Sequence, residues 1–237
     1  MYFGSFDEKK LPNGKGIFSY ENGYIYQGNW KNGLQHGWGT FKDDTSIYEG
    51  LWENGSKTEG TLKYEEGDVY VGTFVNGMKE CGVMMYKNGD EFSGEFKDSR
   101  RFMGVMTFKS SGDVYRGEFN EKGLFHGGGD LQSAEGDVYK GTFVNGAKQG
   151  QGQMILKDNG GTYVGDFNED LMHGNGCFTM SDGSEYVGEF FEGVQHGDGM
   201  IITSSGTEIF GRWVNGKYQQ LEYSIELDET NQPVEDE

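Results

Sequence analysis

Cysteine is scarce in this chain. Cys81 and Cys177 are the only two among 237 residues, too few for a disulfide scaffold and in keeping with a reducing compartment. Proline is as rare, two residues against 42 glycines, which excludes a collagen-like repeat and does not suit a proline-rich linker. No stretch approaches 18 consecutive apolar residues, and no basic segment leads into an apolar one at the N-terminus. The sequence therefore offers neither a membrane span nor a signal peptide, and the expectation is a cytoplasmic protein. Positive charge is in deficit too: 20 Lys and Arg face 39 Asp and Glu, a formal charge of −19. That sign disfavours diffuse attraction to nucleic acid or anionic lipid and favours basic partners.

What the chain has is aromatic side chains, 14 Tyr, 17 Phe and 4 Trp, enough apolar surface to drive folding. They are phased. A Tyr-x-Gly-x-aromatic motif recurs at Tyr2-Gly4-Phe6, Tyr26-Gly28-Trp30, Tyr48-Gly50-Trp52, Tyr70-Gly72-Phe74, Phe92-Gly94-Phe96, Tyr115-Gly117-Phe119, Tyr139-Gly141-Phe143, Tyr163-Gly165-Phe167 and Tyr186-Gly188-Phe190. A tenth copy, Ile209-Gly211-Trp213, has lost its Tyr, and the intervals between central glycines run from 22 to 24 residues. Such a period signals stacked units that each contact only their neighbours.

Strand side chains alternate faces, so the Tyr, Gly and second aromatic of a unit share one face. Asn-Gly follows at Asn32-Gly33, Asn54-Gly55, Asn76-Gly77, Asn145-Gly146 and Asn215-Gly216, the dipeptide of a tight hairpin turn. A return strand with a Gly-x-Gly core comes next, as in Gly37-Trp38-Gly39 and Gly150-Gln151-Gly152. A second glycine turn, at Gly23, Gly67, Gly89, Gly112, Gly136, Gly160, Gly183 and Gly206, leads into the following unit. The expectation is an all-β antiparallel meander of about ten hairpins, an elongated ribbon on the order of 100 Å long at about 4.8 Å per strand. Glycine ordinarily weakens a strand, so its use at every strand centre predicts a ring lying over bare backbone. Leu221, Tyr223 and Ile225 alternate with Glu222, Ser224 and Glu226, the pattern of a half-buried capping strand near 219–227 whose open edge could pair with a second copy. Residues 228–237 are acidic and read as a disordered tail, leaving 1–227 as the array.

Tyr-x-Gly-x-aromatic, Asn-Gly, His-Gly-x-Gly and Asp-Gly at a period near 23 together resemble the MORN repeat, over nearly the whole chain. The resemblance implies a curved, twisted single-layer sheet with a concave aromatic groove. It also implies a scaffold or adaptor role in cytoskeletal, axonemal or cortical assemblies, with membrane-junction proteins and appendages of lysine methyltransferases or phosphoinositide kinases as other relatives. Units three to five depart from the pattern. Each lacks one residue in the return strand, where His-Gly is replaced by Thr58-Glu59, Glu80-Cys81 and Phe102-Met103, and unit five has Ser99-Arg100-Arg101 in place of the turn glycine. Met78, Met84, Met85, Met103 and Met106 also fall in units four and five, either as an adaptable partner surface or as filler beneath imperfect repeats.

Catalytic and metal chemistry find little support. His36, His126, His173 and His196 share one phase of the repeat, but adjacent units put them roughly 10 Å apart, whereas zinc–nitrogen bonds are about 2 Å. Structural histidines are the better reading, and neither metal nor cofactor is expected. Gly-x-Gly is followed by no helix whose amides could meet a phosphate. Glu95, Glu118, Asp166 and Glu189 fall opposite the tyrosines, a unit apart, and read as a solvated face rather than an acid–base pair. Cys81 and Cys177, four units apart, lie roughly 40 Å from each other and cannot pair.

The function expected is a non-catalytic scaffold whose aromatic face receives a basic or amphipathic segment of another protein. The atypical middle carries the candidate residues: Tyr70, Phe74, Phe92, Phe96, Arg100, Arg101, Phe102, Met103, Tyr115 and Phe119. Against this stands the possibility that ring stacking consumes the aromatics and leaves adhesion to edges and ends. The alternative function is a membrane- or phosphoinositide-targeting module, or the regulatory part of an enzyme whose catalytic region is absent after Trp213. Arg100 and Arg101, the only adjacent arginines, are a thin electrostatic basis for a lipid site.

Overall fold

A computed structural model describes residues 1–219. Most of the expected cap near 219–227, its edge residues Leu221, Tyr223 and Ile225, and the acidic tail 228–237 lie outside the described residues. The described chain forms twenty β-strands, from Tyr2–Phe6 to Lys217–Gln219, and no helix. Every strand pairs antiparallel with the next in sequence, in one open sheet. This is the meander the repeat predicts.

The register is fixed by glycine. Gly4 pairs with Gly16, Gly16 with Gly28 and Gly28 with Gly39, and the glycine column continues unbroken to Gly199 and Gly211. A side chain in this column has nowhere to go: a Cβ added to Gly129 would stand 2.6 Å from Tyr115 Oη and 2.7 Å from its ring edge. The first ring of each of units one to nine thus lies across the glycines of its own hairpin, as expected from their placement at strand centres.

The turns also follow the sequence. Both residues of the Asn-Gly pairs adopt positive φ, for example 52° and 84° at Asn32-Gly33, the geometry that matches the twist of a two-residue hairpin. Unit five makes the same turn without glycine. Asp98 and Ser99 sit at φ 50° and 61°, a strained conformation for side-chain-bearing residues, and Ser99 Oγ accepts the Lys79 N–H of the preceding unit at 3.1 Å.

Each of the first nine hairpins contains a bulge just past the glycine column. In most units the return strand carries two extra residues there: Gly141 faces Gly152 but Thr142 faces Gln149, with Gly150 at φ 69°. In units three to five the extra residue is single, as where Leu51 faces Glu59 and Trp52 faces Lys57. The missing residue seen in the sequence is therefore a shortened bulge without its left-handed glycine, and the flanking register is intact.

Candidate functional site

One face of the sheet is built of rings. Every first ring, Tyr or Phe92, packs edge-on between the second ring of its own unit and that of the next: Tyr70 lies 5.2 Å from both Phe74 and Phe96, and Phe92 lies 5.1 Å from Phe96 and 5.4 Å from Phe119. Edge-to-face contact is the favoured geometry of aromatic quadrupoles. The zigzag runs from Phe6 and Tyr2 to Trp213, and it removes the first rings from Tyr26 to Tyr186 from solvent almost completely although no second layer of described residues covers them.

Tyrosine has a second duty. The bulge interrupts the ladder opposite the residue that follows the central glycine, where a side-chain hydroxyl can serve as a donor. The hydroxyls of Tyr26, Tyr48, Tyr70, Tyr115, Tyr139, Tyr163 and Tyr186 each donate to the carbonyl three residues on, at 2.8–3.0 Å. Desolvation pushes the hydroxyls of Tyr48, Tyr70, Tyr115, Tyr139, Tyr163 and Tyr186 up to about 12, and that of Tyr26 further in the same direction. The first position is thus nearly always Tyr because its hydroxyl reaches this acceptor, whereas at the second position Trp30 and Trp52 donate their indole N–H to the Gly16 and Gly39 carbonyls and Phe serves elsewhere without such a bond. Unit ten compensates for its lost Tyr from the other strand: the Tyr218 ring takes the place over Gly211 and packs on Trp213 at 5.2 Å.

The candidate residues divide between core and surface. Tyr70, Phe74, Phe92, Phe96, Tyr115 and Phe119 are at most 8% exposed, so they form the core of the ring face. Its solvent-facing layer is made by half-buried neighbours, Tyr20, Tyr64, Tyr86 and Phe108 along one rim and Lys57, Lys79 and Arg101 over the second rings. A depression of about 460 Å³ opens between Tyr64, Asp68, Lys79 and Met84. Arg100 and Arg101 do not act together. Arg101 stacks over Phe119 and Tyr86, whereas Arg100 is exposed opposite Lys97. Phe102 and Met103 are exposed, and Met103 pairs with Glu95 and Glu118 on the opposite face. The methionines split in the same way: Met84 and Met106 face first rings and are buried, while Met78, Met85 and Met103 point outward.

Other chemistry-bearing groups stay dispersed, as their phases require. Glu118, Asp166 and Glu189 each lie against a bulge glycine of their own unit, Gly127, Gly174 and Gly197. Among the described residues no three His, Cys, Asp or Glu converge in metal-binding geometry, and both cysteines are free. Among the described residues no helix is long and apolar enough to cross a membrane. A different set of carboxylates knits the units together: Asp68, Asp90, Asp113 and Asp137 accept the backbone N–H of Lys87, Lys109, Ala134 and Lys157, one unit further on, at 2.8–3.0 Å.

No curated protein matches the chain. Among solved structures it is similar to the TCP domain of SAS-4 (dCPAP) from Drosophila melanogaster, solved with a proline-rich motif of Ana2 (dSTIL), at 13% identity over 65% of this chain and 84% of that one, with a TM-score of 0.44. The G-box domain of the microcephaly protein CPAP is 11% identical over 85% of this chain and 100% of that one, with a TM-score of 0.44. A streptogramin B lyase is 13% identical over 90% and 88%, with a TM-score of 0.18. Likenesses this slight carry no argument about what this chain does. The MORN-repeat model, by contrast, matches residues 2–23, 26–45, 70–91, 139–161, 163–185 and 186–208. Those segments make up more than half of the sequence, and each coincides with a hairpin unit described above. The chain belongs to the MORN-repeat family.

Proposed function

We propose that the chain is a non-catalytic scaffold that holds an amphipathic segment of a partner protein along its ring-bearing face, and so organises a cytoskeletal, axonemal or cortical assembly. One observation carries this reading: the half-buried strip of Tyr20, Tyr64, Tyr86 and Phe108 beside the closed ring core. Rings of this kind anchor interfaces because they bury much area, and the three tyrosines also keep a polar tip. The ring core makes the surface rigid, which lowers the ordering cost of binding.

Affinity purification from a cell extract with three baits tests it: the wild-type chain, a chain with Tyr64→Glu and Tyr86→Glu on the ring face, and one with Val71→Glu and Val83→Glu on the opposite face. The proteins retained by wild type are expected to be lost from the ring-face bait and kept by the other. Loss from the Val71 and Val83 bait alone, or no protein retained by any bait, would overturn the reading.

A further inference from the structure

The net charge of −19 conceals a local inversion of sign. Lys57, Lys79, Arg101 and Lys148 occupy one register position, opposite the second rings Trp52, Phe74, Phe96 and Phe143. All four are half-buried and lie on ring faces. Lys57 Nζ is 4.9 Å from the Tyr48 centroid and 5.2 Å from that of Phe41. Lys79 Nζ is 5.2 Å from Tyr64 and 5.5 Å from Tyr70. Arg101 is 5.1 Å from Phe119, and Lys148 Nζ is 5.4 Å from Tyr139.

Covering a ring does not require charge. Gln35, Phe125, Met172 and Gln195 hold the same register position in other units. Nor, among the described residues, is any of these cations ion-paired to a carboxylate, although Glu65, Glu66 and Asp68 line the depression beside Lys79. The ion pairs among the described residues are Lys63–Glu49, Lys140–Asp130 and Arg212–Asp198, all on the opposite face. Asp43 lies near enough to Lys57 to favour its charged form, yet its carboxylate is taken by Thr45 and Ser46. Asp68 and Asp90, on the rim near Tyr86, accept backbone N–H groups of the next unit. Burial lowers the affinity of Lys57 for its proton, so an arriving anion would relieve an existing desolvation cost. Three of the four cations stand in consecutive units.

We propose that Lys57, Lys79 and Arg101 receive an acidic amphipathic helix of a partner protein, laid along the array with one carboxylate opposite each cation. The proposal rests on the ring face being the docking face. Spacing suits a helix: a unit of two strands advances about 9.6 Å, and seven residues of α-helix advance about 10.5 Å on one face. An extended segment covers about 10 Å in three residues, which places successive side chains on opposite faces. Net charge would attract a basic partner at long range, but the contacts on this face select an acidic one.

The test uses fluorescence anisotropy with the full chain and two labelled 18-residue helical peptides. They share one leucine face and differ only in Glu or Lys at positions 2, 9 and 16. The Glu peptide is expected to bind wild type at least ten-fold more tightly than the Lys peptide, and to lose at least ten-fold on Lys57→Met with Lys79→Met. Those two ammonium groups make no hydrogen bond among the described residues, and Met172 shows that methionine fits the position. Equal binding of both peptides, or of the Glu peptide to both chains, overturns the proposal. So does anionic-vesicle flotation of wild type that fails with the double variant, which would assign the row to a lipid surface. If neither peptide binds while the wild-type bait still retains partners lost with Tyr64→Glu and Tyr86→Glu, the docking face stands and the acidic occupant is wrong.

Discussion

Gly129→Ala should lower the unfolding free energy by about 1–3 kcal/mol, the usual range for overpacking a well-packed site, whereas Gly128→Ala should leave it unchanged or raise it by up to about 1 kcal/mol. The two glycines are neighbours on one strand but face opposite ways. A Cβ at Gly129 meets the Tyr115 ring at 2.6–2.8 Å, while one at Gly128 meets nothing within 4 Å. Tyr115 cannot retreat, because Phe125 stacks on it at 3.8 Å and Phe119 and Phe143 hold its edges at 5.2 Å. Urea unfolding of the two variants measures the difference. Equal midpoints would mean that the rings do not lie on the glycine column. A locally broken unit also separates the hairpins on either side, since stability in such an array passes only through neighbours.

The second large effect is alkaline. Six hydroxyls are pushed up to about 12 and that of Tyr26 is raised as well, while an unfolded tyrosine ionises near 10. A group whose folded-state pKa is raised contributes stability that is complete below the unfolded value and is lost as pH rises through the folded value. Between about pH 10 and 12 the unfolded chain releases protons that the sheet retains, so stability must fall across that window. Because seven tyrosines act together, absorbance at 295 nm should rise in one steep step that coincides with loss of strand signal in circular dichroism. Gradual ionisation of all fourteen tyrosines centred near pH 10, with the sheet intact, would contradict the placement of those hydroxyls.

Much of this fold was legible because its determinants are local and periodic. Tyr-x-Gly-x-aromatic fixed a shared face by strand parity, and Asn-Gly fixed the turns. The lost residue in units three to five was visible as a spacing change, although its identity as a shortened bulge needed the register. Other features depend on pairing across strands, which one strand's sequence does not display. Tyr218 replaces the missing tyrosine of unit ten from the return strand. The five methionines of units four and five divide between core and exterior by a register that the bulge shifts, which is why Met78 and Met84, six residues apart on one strand, face opposite ways. The cation row was hidden because Lys57, Lys79 and Arg101 follow their turns at a position that other units fill with Gln, Phe or Met, and because a bulk charge of −19 points to the opposite partner. The preference for Tyr over Phe at the first position was a readable signal, and its cause is the carbonyl opposite the bulge.

Everything here depends on hairpins laid side by side in sequence order, and the two native cysteines measure that directly. Cys81 lies on the eighth strand and Cys177 on the sixteenth, so eight strand spacings separate them, roughly 40 Å. Spin labels on both cysteines, read by double electron–electron resonance, should give one distance distribution centred near that value. A distribution centred below about 25 Å, as a compact globule would bring about, would contradict the account.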